Sequence, residues 1–171
     1  RVRHMDRTDC LYHLYAMEDA LRQVGVRRVR LRPHPSESGE WYMKYVNKDF
    51  FQLDREGLKD SLARSTLVIG PSSTVLIEAI LARRNYIVFE PNFHPRDPVD
   101  YPLLRPFDGS DPRVPTALTK DALVTHLKAS SVVDPSIVGD YIQTPFDWNA
   151  LTSLFLPPLK RDVAFKSALQ L

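Results

Sequence analysis

The spacing of apolar residues predicts an amphipathic helix near the beginning of the chain, followed by a strand. Over residues 10–24 apolar side chains recur every three or four positions, which places them on one face of a helix. Thr8 or Asp9 would form its N-cap, and Gly25 would end it. Over residues 26–32 apolar and arginine side chains alternate, which is typical of a strand near the edge of a sheet.

As far as residue 90 the spacing of apolar residues continues to alternate between that of a helix and that of a strand, which predicts further strands and helices. The predicted elements are a helix at 40–46, a strand at 50–53, a helix at 56–64, a strand at 67–69, a helix from Val75 and a strand at 86–90. Asp54 is expected to cap the helix at 56–64. Because strands and helices alternate along the chain, the sequence predicts an α/β fold with a doubly wound parallel sheet.

After residue 90 the apolar pattern becomes irregular and then helical. Residues 91–115 contain seven prolines and almost no periodicity, which predicts an ordered but irregular excursion. Helices are predicted beyond it, at 118–129, 135–142, 148–155 and 160–169. The C-terminal end of the predicted domain is therefore helical.

Composition places the chain among globular proteins without indicating a ligand. Its 171 residues are 43% hydrophobic and 26% charged, which suits one domain with a core. Residues 1–9 lack periodicity and the chain begins without a methionine, so we expect a piece of a longer protein. The net charge of +2 is too small to indicate nucleic acid as a partner.

Cysteine usage and hydropathy predict a cytoplasmic location. The single cysteine, Cys10, excludes an internal disulfide bond and favours a reducing compartment. No apolar run approaches the length of a membrane span. Arginines are concentrated near the N-terminus, and they leave open a peripheral position at a membrane or simply a solvated face.

Polar side chains follow two of the predicted strands, at the points where the strands end. His34, preceded by Arg32, follows the first strand, while Ser72, Ser73 and Thr74 stand at or beside the start of a helix. Ligands of open α/β sheets bind at the carboxyl ends of strands, and an imidazole, a guanidinium and hydroxyls can together hold a phosphate. The alternative is an ordinary Ser/Thr helix cap with a solvated loop histidine and arginine.

Two carboxylates are candidates for contact with a ribose. Glu78 lies one to two helical turns beyond Ser72, where it could accept hydrogen bonds from ribose hydroxyls. An exposed carboxylate paired with Arg83 or Lys59 is the alternative. Glu90, at the end of its own strand, is the rival ribose partner.

The two motifs resemble those of a known enzyme group. Residues 32–35 (Arg-Pro-His-Pro), followed about forty residues later by the serine segment 65–78, resemble the paired His-Pro and Ser-Ser motifs of bacterial GT-B glycosyltransferases that use CMP-activated sugars. These are the sialyltransferases, polysialyltransferases and Kdo transferases of capsule and lipopolysaccharide assembly. The resemblance covers residues 26–91 and implies that His34, Ser72 and Ser73 contact the CMP phosphate.

The resemblance implies a function for the whole chain. Residues 1–171 would form one nucleotide-sugar-binding domain, the Rossmann-like half of a two-domain GT-B enzyme that needs no metal or other cofactor. The enzyme would transfer Kdo or sialic acid from a CMP-sugar to a glycan or glycolipid acceptor, with inversion. His34 would stabilise the leaving phosphate, and the donor-binding residues would be Arg32, His34, Gly70, Ser72, Ser73, Thr74 and Glu78.

The catalytic base is not expected in this chain. In the resembled enzymes an acidic motif of the N-terminal domain supplies the base, and no similar segment occurs here. We therefore expect the chain to bind the donor without transferring sugar by itself.

Other functions remain open. UDP-sugar transferases and epimerases also place a serine loop before a helix that carries a glutamate. CDP-glycerol polymerases of teichoic acid synthesis resemble the region too, although they commonly carry an Asp where this chain has Gly70-Pro71. A non-catalytic flavodoxin-like or receiver-like interaction module would use the serine loop only as a cap. An intact small enzyme would need its acid and base groups within residues 91–115.

Three other sets of polar residues can be considered as ligand-binding or metal-binding groups. His94-Pro95 is a second His-Pro pair, but it is followed by the proline-rich excursion rather than by a βα unit that leads to the serine loop. A position lining the donor site stays open for it. Ser130-Ser131 is predicted at a helix end, where the dipole disfavours phosphate. Four aspartates occur singly among prolines without a ligand pattern and predict no metal site: Asp97, Asp100, Asp108 and Asp111.

Overall fold

The computed structural model describes residues 7–91 and 103–142 and shows a mixed α/β protein with two small parallel sheets. In the first sheet, β1 (Val29–Leu31) pairs with β2 (Phe51–Leu53). The second sheet has the order β3 (Leu67–Gly70), β4 (Asn85–Phe89) and β5 (Thr116–Ala117). The helices are α1 (Arg7–Gln23), α2 (Gly39–Tyr42), α3 (Leu58–Ala63), α4 (Val75–Leu81), α5 (Lys120–Lys128) and a 3₁₀ helix (Pro135–Asp140).

The register of the three-stranded sheet aligns the carboxyl ends of β3 and β4. Gly70, the last residue of β3, is paired with Val88 of β4. Consecutive residues 86–89 are all buried, which is expected of a parallel strand covered on both faces. The loop after β3 and the residue after β4 therefore begin at the same edge of the sheet.

Helix α1 packs against core residues from both sheets. Leu14 belongs to a buried cluster with Phe50, whereas Ala20 belongs to a second cluster with Phe89. Met17, between them on the helix, packs against both clusters. The apolar face predicted for this helix is confirmed, and it packs against both clusters.

The two ends of α1 differ in how well the sequence predicted them. The helix begins at Arg7, so Thr8 and Asp9 lie inside its first turn, and the prediction that one of them is the N-cap is wrong. Gly25 was predicted as the stop, and this is confirmed because Gly25 has a φ of 83° and its N donates to the carbonyl of Arg22 at 3.0 Å. Only glycine adopts that backbone conformation without strain.

Asp54 does not cap α3, contrary to the sequence prediction. Gly57 occupies the N-cap, and Asp54 is instead a buried acceptor just after β2. Its Oδ2 accepts from Ser61 Oγ at 2.6 Å, its Oδ1 accepts from the backbone N of Glu56 at 3.0 Å, and a guanidinium nitrogen of Arg30 lies 3.6 Å away. The Asp54 carboxylate, directly after β2, therefore binds both Ser61 of α3 and Arg30 of β1.

Helix α5 ends where the sequence predicted a helix end. Ser130 has a φ of 51°, and the backbone N of Ser131 donates to the carbonyl of His126 at 3.0 Å. The serine pair thus lies at a helix C-terminus, as predicted. In the part of the chain that the structure describes, no helix is both long enough and apolar enough to cross a membrane.

Several predictions fall on residues outside the described ranges. These are His94-Pro95 and the helices at 148–155 and 160–169. The chain divides into two compact units, Arg1–Ile137 and Val138–Leu171. The single domain over residues 1–171 stays a prediction.

Candidate functional site

A pair of short hydrogen bonds joins the serine loop to Glu90 at the carboxyl end of the three-stranded sheet. The backbone N and the Oγ of Ser72 each donate to Glu90 Oε1 at 2.7 Å. Glu90 directly follows β4 and is only 7% exposed, and its own N donates to the carbonyl of Ala117 at 3.0 Å. Hydrogen bonds to an ionised acceptor are among the stronger ones in proteins. Ser72 therefore already provides two donors to an anion.

Gly70 makes room for a buried tyrosine that supports the serine loop. The phenol of Tyr86 donates to the carbonyl of Pro71 at 2.8 Å, and a Cβ added at Gly70 would lie 2.5 Å from the phenol oxygen. Burial and then the nearby Glu90 carboxylate raise the pKa of Tyr86, so the phenol remains a proton donor. Gly70 was predicted to bind the donor directly, and the structure brings it against Tyr86, two residues before Ser72.

The other two hydroxyls of the loop lie at the start of α4. Thr74 is the N-cap, in helical conformation and without a capping hydrogen bond from its side chain. The Oγ of Ser73 instead accepts from the backbone N of Val75 at 3.3 Å. The predicted position of these hydroxyls at the helix N-terminus is confirmed, although the side chain of Ser73, and not that of the N-cap residue Thr74, accepts a hydrogen bond from the first turn.

Glu78 and Glu90 occupy very different surroundings. Glu78 is exposed on α4 and forms neither of the ion pairs that the sequence left open, with Arg83 or with Lys59. Glu90 is buried and bound to Ser72. The sequence named Glu90 only as a rival ribose partner and missed its contact with the loop. A carboxylate directly after an apolar strand, beside a serine loop, was the available signal.

His34 is exposed in the loop that follows β1, as predicted. Its Nδ1 accepts from the backbone N of Ser36 at 3.2 Å and lies 2.7 Å from Ser36 Oγ. In the neutral ring this arrangement leaves the proton on Nε2. No acceptor for Nε2 occurs among the described residues. The His34 ring is therefore held by hydrogen bonds at Nδ1 and can donate a hydrogen bond from Nε2.

The loop that carries the histidine is anchored by Glu37 and Ser38. The backbone N of His34 donates to Glu37 Oε2 at 3.0 Å, and the Tyr42 phenol donates to Glu37 Oε1 at 2.8 Å. Ser38 caps α2 by accepting from the backbone N of Trp41 at 3.2 Å. Burial, followed by neighbouring Cys10 and Glu37, raises the pKa of Tyr42. The backbone of His34 is thus held against α2.

Arg32 binds protein rather than lying free for a phosphate. Its guanidinium donates to the backbone carbonyl of Glu56, in the connection between β2 and α3. Among the described residues, no hydrogen bond or ion pair links Arg32 or His34 to Ser72. The structure consequently brings Ser72 to Glu90, and leaves His34 at the end of a strand in the other sheet.

The described aspartates of the proline-rich segment bind their neighbours. Asp111 is buried, and the Arg113 side chain and backbone N hold its pKa down to about 2. Asp108 accepts from Ser110 Oγ at 2.7 Å. Within residues 7–91 and 103–142 no group of three or more His, Cys, Asp or Glu could hold a metal ion. Asp97 and Asp100 lie outside the described residues.

Comparisons of the chain with protein-family models, with curated proteins and with solved structures find no match. Function is therefore argued from the geometry and from the two motifs. The geometry contributes two converging donors on Ser72 and an exposed ring nitrogen on His34. Both groups suit an anionic ligand.

Proposed function

We propose that the chain is the donor-nucleotide-binding domain of a glycosyltransferase that uses a CMP-activated sugar. The observation that carries the proposal is the convergence of Ser72 N and Ser72 Oγ on one carboxylate oxygen. The same two donors suit an oxygen of a phosphate, because both anions accept short, charge-assisted hydrogen bonds. The resemblance of the His-Pro and Ser-Ser motifs supplies the class of donor, a CMP-sugar.

The proposal includes a doubly wound, Rossmann-like sheet as half of a GT-B fold. Support comes from the parallel pairing in both sheets and from α1, which packs against the cores of both. In such a sheet the loops after β1 and β3 share one edge, where ligands bind. His34 and Ser72 would then lie on the same side of a bound nucleotide.

In the proposed reaction this domain holds the leaving group. The bond between the anomeric carbon and the phosphate oxygen breaks, and the acceptor hydroxyl forms a bond to the same carbon from the opposite face. A base on a separate N-terminal domain takes the proton of that hydroxyl. His34 Nε2 and the donors of Ser72 stabilise the negative charge that develops on the CMP phosphate. The acceptor would be a glycan or a glycolipid, reached from the cytoplasm at the inner membrane.

A second candidate is a non-catalytic interaction module, and the Glu90 contact favours it. Because Glu90 satisfies both donors of Ser72, the serine loop is stable without any ligand. Exposed aromatic side chains would then meet a protein partner; Tyr45 is 51% exposed, and its ring centroid lies 4.8 Å from that of Trp41. Nucleotide binding separates the two candidates.

Calorimetric titration with CMP, UMP and UDP tests the proposal. We expect CMP to bind best, and we expect His34→Ala and Ser72→Ala each to weaken CMP binding about tenfold, because each removes a donor to a charged group. Ser110→Ala serves as the matched control, since Ser110 hydrogen-bonds only Asp108 in an exposed turn and should leave the affinity unchanged.

Three results would contradict this expectation in different ways. Preference for UDP would reassign the chain to the UDP-sugar transferases or epimerases. If CMP binds with unchanged affinity to both variants, His34 and Ser72 do not belong to the binding site. Absence of binding by every nucleotide would favour the interaction module.

A further inference from the structure

Glu90 and a phosphate cannot use the donors of Ser72 at the same time. The backbone N–H and the hydroxyl of Ser72 carry one hydrogen each, and both hydrogens are given to Glu90 Oε1. A phosphate oxygen can bind these donors only when it replaces the carboxylate. Binding of a phosphate at the serine loop would therefore replace an internal anion, the Glu90 carboxylate, by an external one.

The replaced carboxylate cannot move far from the site. The backbone of Glu90 is fixed by its hydrogen bond to Ala117 at 3.0 Å, and buried residues stand on both sides of it, Phe89 and Pro91. A residue that precedes proline is also restricted to extended backbone conformations. The negative charge of Glu90 thus stays close to any anion bound at Ser72.

In the described part of the chain, no positive side chain forms an ion pair with Glu90. Like charges in a partly buried site repel each other more strongly than in water, because the effective dielectric constant is lower. The repulsion grows with the charge of the bound phosphate.

The charge of a phosphate depends on how it is esterified. A phosphodiester carries one negative charge at pH 7, whereas a phosphomonoester, whose second pKa is about 6, carries close to two. The phosphate of a nucleoside-monophosphate sugar is a diester, and transfer of the sugar releases a monoester.

We infer that Glu90 is a specificity-determining residue that makes the serine loop favour a phosphodiester over a phosphomonoester. This inference rests on the proposed function. Its consequence is that the site holds the intact sugar donor more tightly than the CMP that the transfer releases, so Glu90 assists release of the product.

The test compares CMP with its 5′-methyl phosphodiester at pH 7.5, using the full chain and calorimetry. The wild type should bind the methyl diester about tenfold more tightly than CMP. In Glu90→Gln the ratio should fall to about twofold or less, because the amide oxygen still accepts from Ser72 but carries no charge. Asp121→Asn makes the same charge change at an exposed position of α5 and should retain the wild-type ratio.

Each remaining result overturns the inference. Equal binding of the two ligands by the wild type would do so without any variant, and so would an unchanged ratio in Glu90→Gln. In both cases, weaker CMP binding in Ser72→Ala would leave the proposed function standing. Failure of the wild type to bind either ligand would overturn the proposed function together with the inference.

Discussion

Replacing Asp54 by asparagine should lower the free energy of unfolding by about 3 kcal/mol at pH 7. The carboxylate is buried, accepts hydrogen bonds from Ser61 and from the backbone of Glu56, and faces the guanidinium of Arg30. The amide keeps the shape but removes the charge, so Arg30 loses its counterion and one acceptor becomes a donor. Urea denaturation, followed by tryptophan fluorescence, measures the difference.

The loss should depend on pH because the pKa of Asp54 is lower in the folded protein. Burial acts to raise this pKa, but hydrogen bonds from Ser61 and the Glu56 backbone, with the charges of Arg30 and Arg32, outweigh it. A carboxylate of this kind stabilises the fold above its unfolded-state pKa of about 4, and the stabilisation is lost as the pH falls through the folded-state value. The difference between wild type and Asp54→Asn should therefore be full at pH 7 and shrink below about pH 4.

Asp60→Asn is the control for this experiment. Asp60 is exposed in the first turn of the same helix, α3, so its substitution should change the free energy of unfolding by no more than about 0.5 kcal/mol. Equal losses for the two variants would show that Asp54 has no special role. A difference that persists unchanged at pH 3 would show that its charge is not the cause.

The order of strands and helices was predictable because it depends on local periodicity. The strand predicted at 50–53 is found as Phe51–Leu53, and the helix predicted at 118–129 is found as Lys120–Lys128. How the strands pair was less accessible, since pairing depends on contacts between distant parts of the chain. β5 (Thr116–Ala117) has two residues, too few to show any period.

The candidate site shows the same division between local and distant determinants. The serine loop before a helix and the exposed His34 followed from neighbouring residues, and both are found. The contact of Ser72 with Glu90 depends on the register of β3 against β4, which no local pattern specifies. Likewise, Arg32 donates to a carbonyl 24 residues away, so its alternation with apolar residues could not reveal its partner.

Gly70→Ala should destabilise the protein by about 2 kcal/mol, since the new methyl group would stand 2.5 Å from the Tyr86 phenol oxygen. Tyr86 is 1% exposed and has little room to shift. Tyr86→Phe should cost about 1 kcal/mol by removing the hydrogen bond to Pro71. Together the two changes should cost about 2 kcal/mol rather than 3, because phenylalanine lacks the oxygen that the alanine methyl meets.

Urea denaturation of the four proteins in this double-mutant cycle gives the coupling energy, expected at about 1 kcal/mol. Gly139→Ala is the control, because an added Cβ there meets nothing within 4 Å. Strictly additive losses would mean that the backbone at Gly70, and not the Tyr86 oxygen, resists the methyl group. Because the Tyr86 phenol holds the Pro71 carbonyl, Gly70→Ala should also shift that carbonyl and the adjoining Ser72. It should therefore weaken CMP binding, and Tyr86→Phe should partly restore the affinity.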